Sequence, residues 1–153
     1  MKKINIIINK EIIEKYNEYY FERYPGRRVK PIEKPIPPSL NRFIGMRRMS
    51  QNAIKQKYKE FAIWLSGYYK IDNLNIDKAI FEYTFFFPDH RRRDFDNLLL
   101  SPKFFNDGFV LAGVISDDNG EKLKLEFNSF QYDKENPRVE IFIREDKTGL
   151  DKI

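Results

Sequence analysis

The sequence predicts a single α/β (α+β) domain, residues 1–153, with one mixed β-sheet flanked by helices. Two kinds of periodicity predict it. Apolar residues alternate along several short segments, as in half-buried strands, and recur at helical spacing along longer ones. A third observation is their order: strand, helix, arm, helix, strand, loop, helix, strand, strand, a mixture that builds a sheet with helices packed on it. A chain of this length favours one domain with a core that needs no covalent staples.

The elements follow in order. Ile4, Ile6 and Ile8 alternate with Asn5, Ile7 and Asn9 and predict a first strand. Residues 11–23 place Ile12, Ile13, Tyr16, Tyr19 and Tyr20 at helical spacing, and Pro25-Gly26 stops that helix. Residues 27–38 carry Pro31, Pro35, Pro37 and Pro38, which predicts an extended arm. Residues 51–69 predict an amphipathic helix, because Ile54, Tyr58, Phe61, Leu65 and Tyr68 share a face, with Ser50 as its N-cap. Residues 79–87 predict a strand whose two faces both carry apolar residues, so it belongs in the middle of the sheet. Ser101-Pro102 opens a short helix to about Ala112, with Gly113 at C′. Residues 122–127 and the alternation of Val139, Ile141 and Ile143 predict two further strands, joined as a hairpin through residues 133–137. Residues 147–153 read as a frayed tail.

Composition narrows the chemistry. Hydrophobic residues make up 41% and charged residues 33%, which is globular rather than disordered. The net charge of +5 is compatible with a nucleic-acid partner. There are no cysteines, which excludes disulfides, thiolate nucleophiles and Cys-ligated metal sites. The single histidine, His90, rules out a His-rich zinc site and reads as a surface residue. No apolar run approaches the roughly 18 residues a membrane helix needs. The isoleucine-rich start is interrupted by Asn5, Asn9, Lys10 and Glu11 and lacks a cleavage site, so the expectation is a cytoplasmic protein with no membrane partner.

The chemistry-bearing stretch is Pro88-Asp89-His90-Arg91-Arg92-Arg93-Asp94-Phe95-Asp96-Asn97. In extended chain, Asp94 and Asp96 would lie on one side and Phe95 on the other, toward the core. Two adjacent carboxylates repel, and a cation relieves that repulsion; oxygen-only ligands suit Mg²⁺, with Mn²⁺ as its substitute. A second acidic pair, Asp117-Asp118, follows the short helix, and the chain can fold back to bring Asp118 beside the first pair. A metal on such a cluster activates water and neutralises a scissile phosphate. Arg91, Arg92 and Arg93 can clamp phosphates, and Lys103 can place a charge on the cleaved one. The same residues have a plainer reading. Asp94, Asp96 and the run Asp117-Asp118-Asn119-Gly120 are good turn and cap residues, Asp107 belongs on a helix surface, and charge runs are usually solvated. Arg47 and Arg48 are either DNA contacts or solvated side chains.

These residues resemble the RusA family of Holliday junction resolvases. The match is Pro88-Asp89, the run from Arg91 to Asn97, and then Lys103-Phe104-Phe105-Asn106-Asp107 through Ala112-Gly113 to Asp117-Asp118, with a second match at Pro37-Pro38-Ser39-Leu40-Asn41-Arg42. It covers roughly residues 36–145. The resemblance implies a RusA-like homodimer acting on four-way DNA junctions with Mg²⁺. Asp94, Asp96 and Asp118 match the family's metal-binding carboxylates, and Lys103 and Arg93 its essential basic residues. Arg91, Arg92, Asn97, Asn41, Arg42, Arg47 and Arg48 are the remaining candidate DNA contacts. Two segments depart from the family pattern: residues 98–102 lengthen the step from Asn97 to Lys103, and residues 9–36 lengthen the lead into Pro-Pro-Ser.

Overall fold

The computed structural model describes residues 3–98 and 101–147. Leu99-Leu100, the expected cap at the Ser101 side chain, and the tail from residue 148 lie outside the described residues. Strand β1 (Ile4–Ile8) leads into helix α1 (Lys10–Arg23). Asn9 caps α1, its side chain accepting from the Ile12 amide at 2.9 Å. The proline arm follows, then a short helix α2 (Leu40–Ile44) and the long helix α3 (Arg48–Tyr68). Strand β2 (Ala79–Phe87), helices α4 (Phe95–Leu98) and α5 (Ser101–Leu111), and strands β3 (Leu123–Phe127), β4 (Gln131–Tyr132) and β5 (Arg138–Glu145) complete the order.

The result is the single mixed α+β domain that the periodicities predict. The sheet runs β1-β5-β2-β3, with β4 continuing the β3 edge along β2. Strand β5 is antiparallel to both neighbours, so Ile141 pairs with Ile6 on one side and Tyr83 on the other. Strands β3 and β4 run parallel to β2. Between them the register slips by one residue, since Tyr83 opposes Phe127 but Phe86 opposes Gln131, which marks a bulge. The expected hairpin between β3 and β5 is not formed. β2 lies between them, and residues 133–137 carry the chain across its end, where the Asp133 amide donates to the Phe87 carbonyl at 2.8 Å.

One face of the sheet supplies the core. Phe81, Tyr83, Phe85 and Phe87 are buried together with Phe61 and Leu65 of α3 and Phe105 and Phe109 of α5. The other face, which includes Glu82, Thr84, Glu126 and Arg144, is half-exposed and carries the Arg144–Glu126 pair at 3.2 Å. Helices α3 and α5 approach closely at Gly108. A Cβ there would stand 2.5 Å from both the Ala62 Cβ and the Lys59 carbonyl oxygen. Helix α5 ends as predicted at Gly113, whose φ is +74°. The Val114 amide donates to the Phe109 carbonyl (2.9 Å) and the Gly113 amide to Val110 (3.0 Å), a Schellman closure.

Helix α3 starts earlier than expected. Its N-cap position is Arg47, which makes no side-chain cap bond, and Ser50 lies inside the first turn. Helix α2 was not expected from the sequence. Ser39 caps it, accepting from the Arg42 amide at 3.3 Å, and Phe43 anchors it against Phe104 of α5, ring centroids 5.4 Å apart.

Candidate functional site

The acidic stretch is not extended. The Asn97 amide donates to the Asp94 carbonyl at 3.1 Å, and residues 95–98 form the single helical turn α4. The turn displaces Phe95 from the predicted core position. It is 41% exposed and lies against Phe130, ring centroids 4.3 Å apart. Strict alternation fails here because Asp94 and Asn97 are turn-forming residues as much as charged ones.

Asp94, Phe95, Asp96 and Asn97 line one cleft with Arg93, Leu40 and Asn41, about 480 Å³ in volume. Its two halves come from segments far apart in sequence. A hydrogen bond ties them: the Asn41 backbone amide donates to the Asn97 Oδ1 at 2.9 Å. Asn97, a candidate DNA contact from sequence, thus holds α2 beside the acidic turn. Nothing in local periodicity signals this contact.

The three arginines differ. Arg91 and Arg92 have 85% and 91% exposed side chains and long carboxylate contacts, 3.8 Å to Asp89 and to Asp94 respectively. Arg93 is 21% exposed and held on several sides. It pairs with Asp89 at 2.7 Å, donates to the carbonyls of Asp89 and Arg91, and lies 4.1 Å over the Phe87 ring. The Arg91 amide and the Arg93 guanidinium together hold the Asp89 carboxyl below the usual carboxylate range. Arg91 and Arg92 therefore face solvent, while Arg93 braces the loop at the edge of the cleft. His90 is exposed, as predicted, and stacks on Tyr132 with centroids 3.8 Å apart.

The remaining predicted residues sit elsewhere. Lys103 and Asp107, one turn apart on α5, line a small cleft with Lys55 and Phe104. Asp118 belongs with Asp107 and Asp117. Partial burial first, and then the negative charge of Asp107, push its carboxyl above the usual range, and its amide donates to the Asp117 Oδ1 at 2.7 Å. Arg42, Arg47 and Arg48 are exposed around α2 and the start of α3. For a divalent cation the donor chemistry fits, being carboxylate oxygen throughout, but the assembly does not. Among the described residues no three Asp, Glu or His side chains gather as a metal site, so Asp118 does not join Asp94 and Asp96. Among the described residues, no helix is long and apolar enough to cross a membrane.

The cleft presents two carboxylates, Asp94 and Asp96, with Arg93 also in its lining. Compared with known proteins, the chain matches no family model and no curated protein.

Proposed function

We propose that the chain is a structure-selective DNA endonuclease that resolves four-way junctions by paired symmetric nicks, acting as a homodimer with Mg²⁺, or with Mn²⁺ in its place. The observation that carries this reading is the Asn41–Asn97 bond. It joins the two segments on which the RusA resemblance rests, and it does so at the cleft lined by Asp94 and Asp96. Two motifs 56 residues apart that meet at one acidic, arginine-flanked cleft support a shared site better than either motif alone.

In this reading Asp94, Asp96 and Asp118 are the acidic groups the reaction needs. Arg91, Arg92 and Arg42 position the backbone phosphates, and Lys103 offsets charge on the cleaved one. The carboxylate oxygens are the hard donors a divalent ion takes, although among the described residues Asp118 is not gathered with Asp94 and Asp96. A two-fold dimer suits a two-fold junction, because it sets two sites at a fixed separation.

A second reading is a branched-DNA-binding module without catalysis. The separation of Asp118 from Asp94 and Asp96 favours it. Incubation with a synthetic four-way junction and a linear duplex of the same sequence, with Mg²⁺, with Mn²⁺ and with EDTA, separates the two. Symmetric nicks on the junction, lost in EDTA, support the endonuclease. Tight junction binding without product under either metal supports the module.

A further inference from the structure

Phe95 stands between Asp94 and Asp96 and lines their cleft, yet neither the hydrophobic core nor the proposed chemistry uses its ring. A phenylalanine exposed by itself needs no explanation. This one is held in place from behind. Phe130 backs it, with ring centroids 4.3 Å apart and planes 32° from parallel. Phe130 is in turn set edge-on against Phe87 and Phe85 of β2, at 5.1 Å and 6.4 Å. The opposite side of the Phe95 ring is left to the cleft.

The surroundings decide what such a ring can take. Arg91 and Arg92 precede it on the same loop, almost fully exposed, each with its carboxylate contact at 3.8 Å. On their other side in the chain, His90 stacks on Tyr132, a second exposed ring pair. Phe130 leads into β4 and Tyr132 ends it, so both pairs draw on one margin of the sheet. Aromatic rings interleaved with exposed guanidinium groups are the composition of surfaces that track a single strand, the rings taking bases and the cations the backbone. An apolar protein partner fits worse, because covering Phe95 with it would strip water from Asp94, Asp96, Arg91 and Arg92 and return no charge. A nucleic-acid strand brings phosphates for the arginines and a flat ring for the phenylalanine.

We infer that Phe95 is a stacking platform for one unpaired base of the strand in the Asp94–Asp96 cleft, with the neighbouring phosphates on Arg91 and Arg92. The inference rests on the proposed reading for the DNA in the cleft and adds what that DNA must offer. A base reaches the ring only after leaving its own stack, which costs least where pairing is already broken. The substrate class is therefore a strand with an open base beside the phosphate to be cut, as at a branch point, a gap or a flap. A continuous duplex is disfavoured for want of one.

The test is anisotropy titration of the full chain, in EDTA so that nothing is cut, with a labelled single-stranded oligothymidine and with an abasic oligomer of the same length. Both carry the same phosphates, so the difference between them isolates the bases. The wild type is expected to bind the oligothymidine the more tightly. Phe95→Leu, which keeps an apolar side chain and removes the flat ring, is expected to lower affinity for the oligothymidine by about fivefold or more and to leave the abasic strand bound as before. Phe95→Trp is expected to keep the preference. Its added indole fluorescence, above that of Trp64, is expected to be quenched by the oligothymidine and not by the abasic strand, a readout that stands even if the leucine variant melts low. Equal affinity of the wild type for the two strands, an unchanged preference in folded Phe95→Leu, or indole quenching that the abasic strand reproduces would overturn the inference. So would self-association of the wild type that is lost in Phe95→Leu with oligonucleotide binding untouched, which gives the ring to a second copy of the chain. A base preference carried by Phe95, with no product from a junction under Mg²⁺ or Mn²⁺, upholds the platform and overturns the endonuclease reading alone. Junction cleavage without any base preference overturns the platform alone.

Discussion

Asn97 shows what a single side chain does at this site. Its Oδ1 is the acceptor that fixes the Asn41 amide, so its loss leaves that donor without its partner and frees α2 from the acidic turn. Asn97→Ala is expected to lower junction cleavage by an order of magnitude or more while changing the melting temperature by only a few degrees. A cleavage rate equal to the wild type would remove the tie from the site. Asp118 carries the opposite lesson. Its carboxyl is raised by partial burial and by Asp107, so the ionised form is disfavoured in the folded chain. A group whose folded pKa is raised favours the fold at low pH and loses that contribution as pH rises through the folded value. Asp118→Asn is therefore expected to melt higher than the wild type at pH 7, with the gain fading below about pH 4, where aspartates protonate in both states. A gain of equal size at both pH values would rule out charge repulsion as its cause.

At the scale of elements, the outcome divides by the kind of signal involved. Strands β1, β2, β3 and β5 and helices α1, α3 and α5 were legible because an alternating or helical stripe of apolar residues must face a core, and the stripe is local. Gly113 was legible because a helix closing in the left-handed region asks for glycine. The start of α3 was missed because Ser50 is a good cap residue in a chain where tertiary context extends the helix back to Arg48. The hairpin was missed because strand pairing is not local: two consecutive strands with a short connection pair more often than not, and here β2 intervenes. Gly108 would count in sequence as a weak point in a helix, yet the structure requires it, because α3 passes too close for a methyl group. Gly108→Ala gains helix propensity and still is expected to lose about 1–3 kcal/mol through overpacking, seen as a lower urea midpoint with an unchanged slope. An increase in the midpoint would mean that the two helices part freely.

For the whole molecule, the sheet buries one face and leaves the other half-exposed, and the candidate site forms past the end of β2, where the chain leaves the sheet. The acidic pair and the arginine run stood out in sequence as a candidate site, and the structure sets Asp94, Asp96 and Arg93 on one cleft. Their assembly was only partly legible. Sequence placed Asp118 with Asp94 and Asp96, whereas the structure sets it beside Asp107, and it placed Phe95 in the core, whereas the turn at α4 brings it toward solvent. With a net charge of +5 and Arg91 and Arg92 unburied, junction binding is expected to weaken steeply with salt, its log–log slope falling in Arg91→Ala/Arg92→Ala by about two phosphate contacts. An unchanged slope would place the DNA on another surface.

Whether a DNA strand is cut at the Asp94–Asp96 cleft is decided by two quantities measured on Asp96→Asn: the rate of Mg²⁺-dependent junction cleavage and the junction dissociation constant, each beside the wild type. The expected result is cleavage lost by at least three orders of magnitude with the dissociation constant within about threefold of wild type, because the substitution removes a charge the chemistry uses and keeps the shape the DNA meets. Cleavage by Asp96→Asn at the wild-type rate would contradict the claim and move the site elsewhere on the molecule.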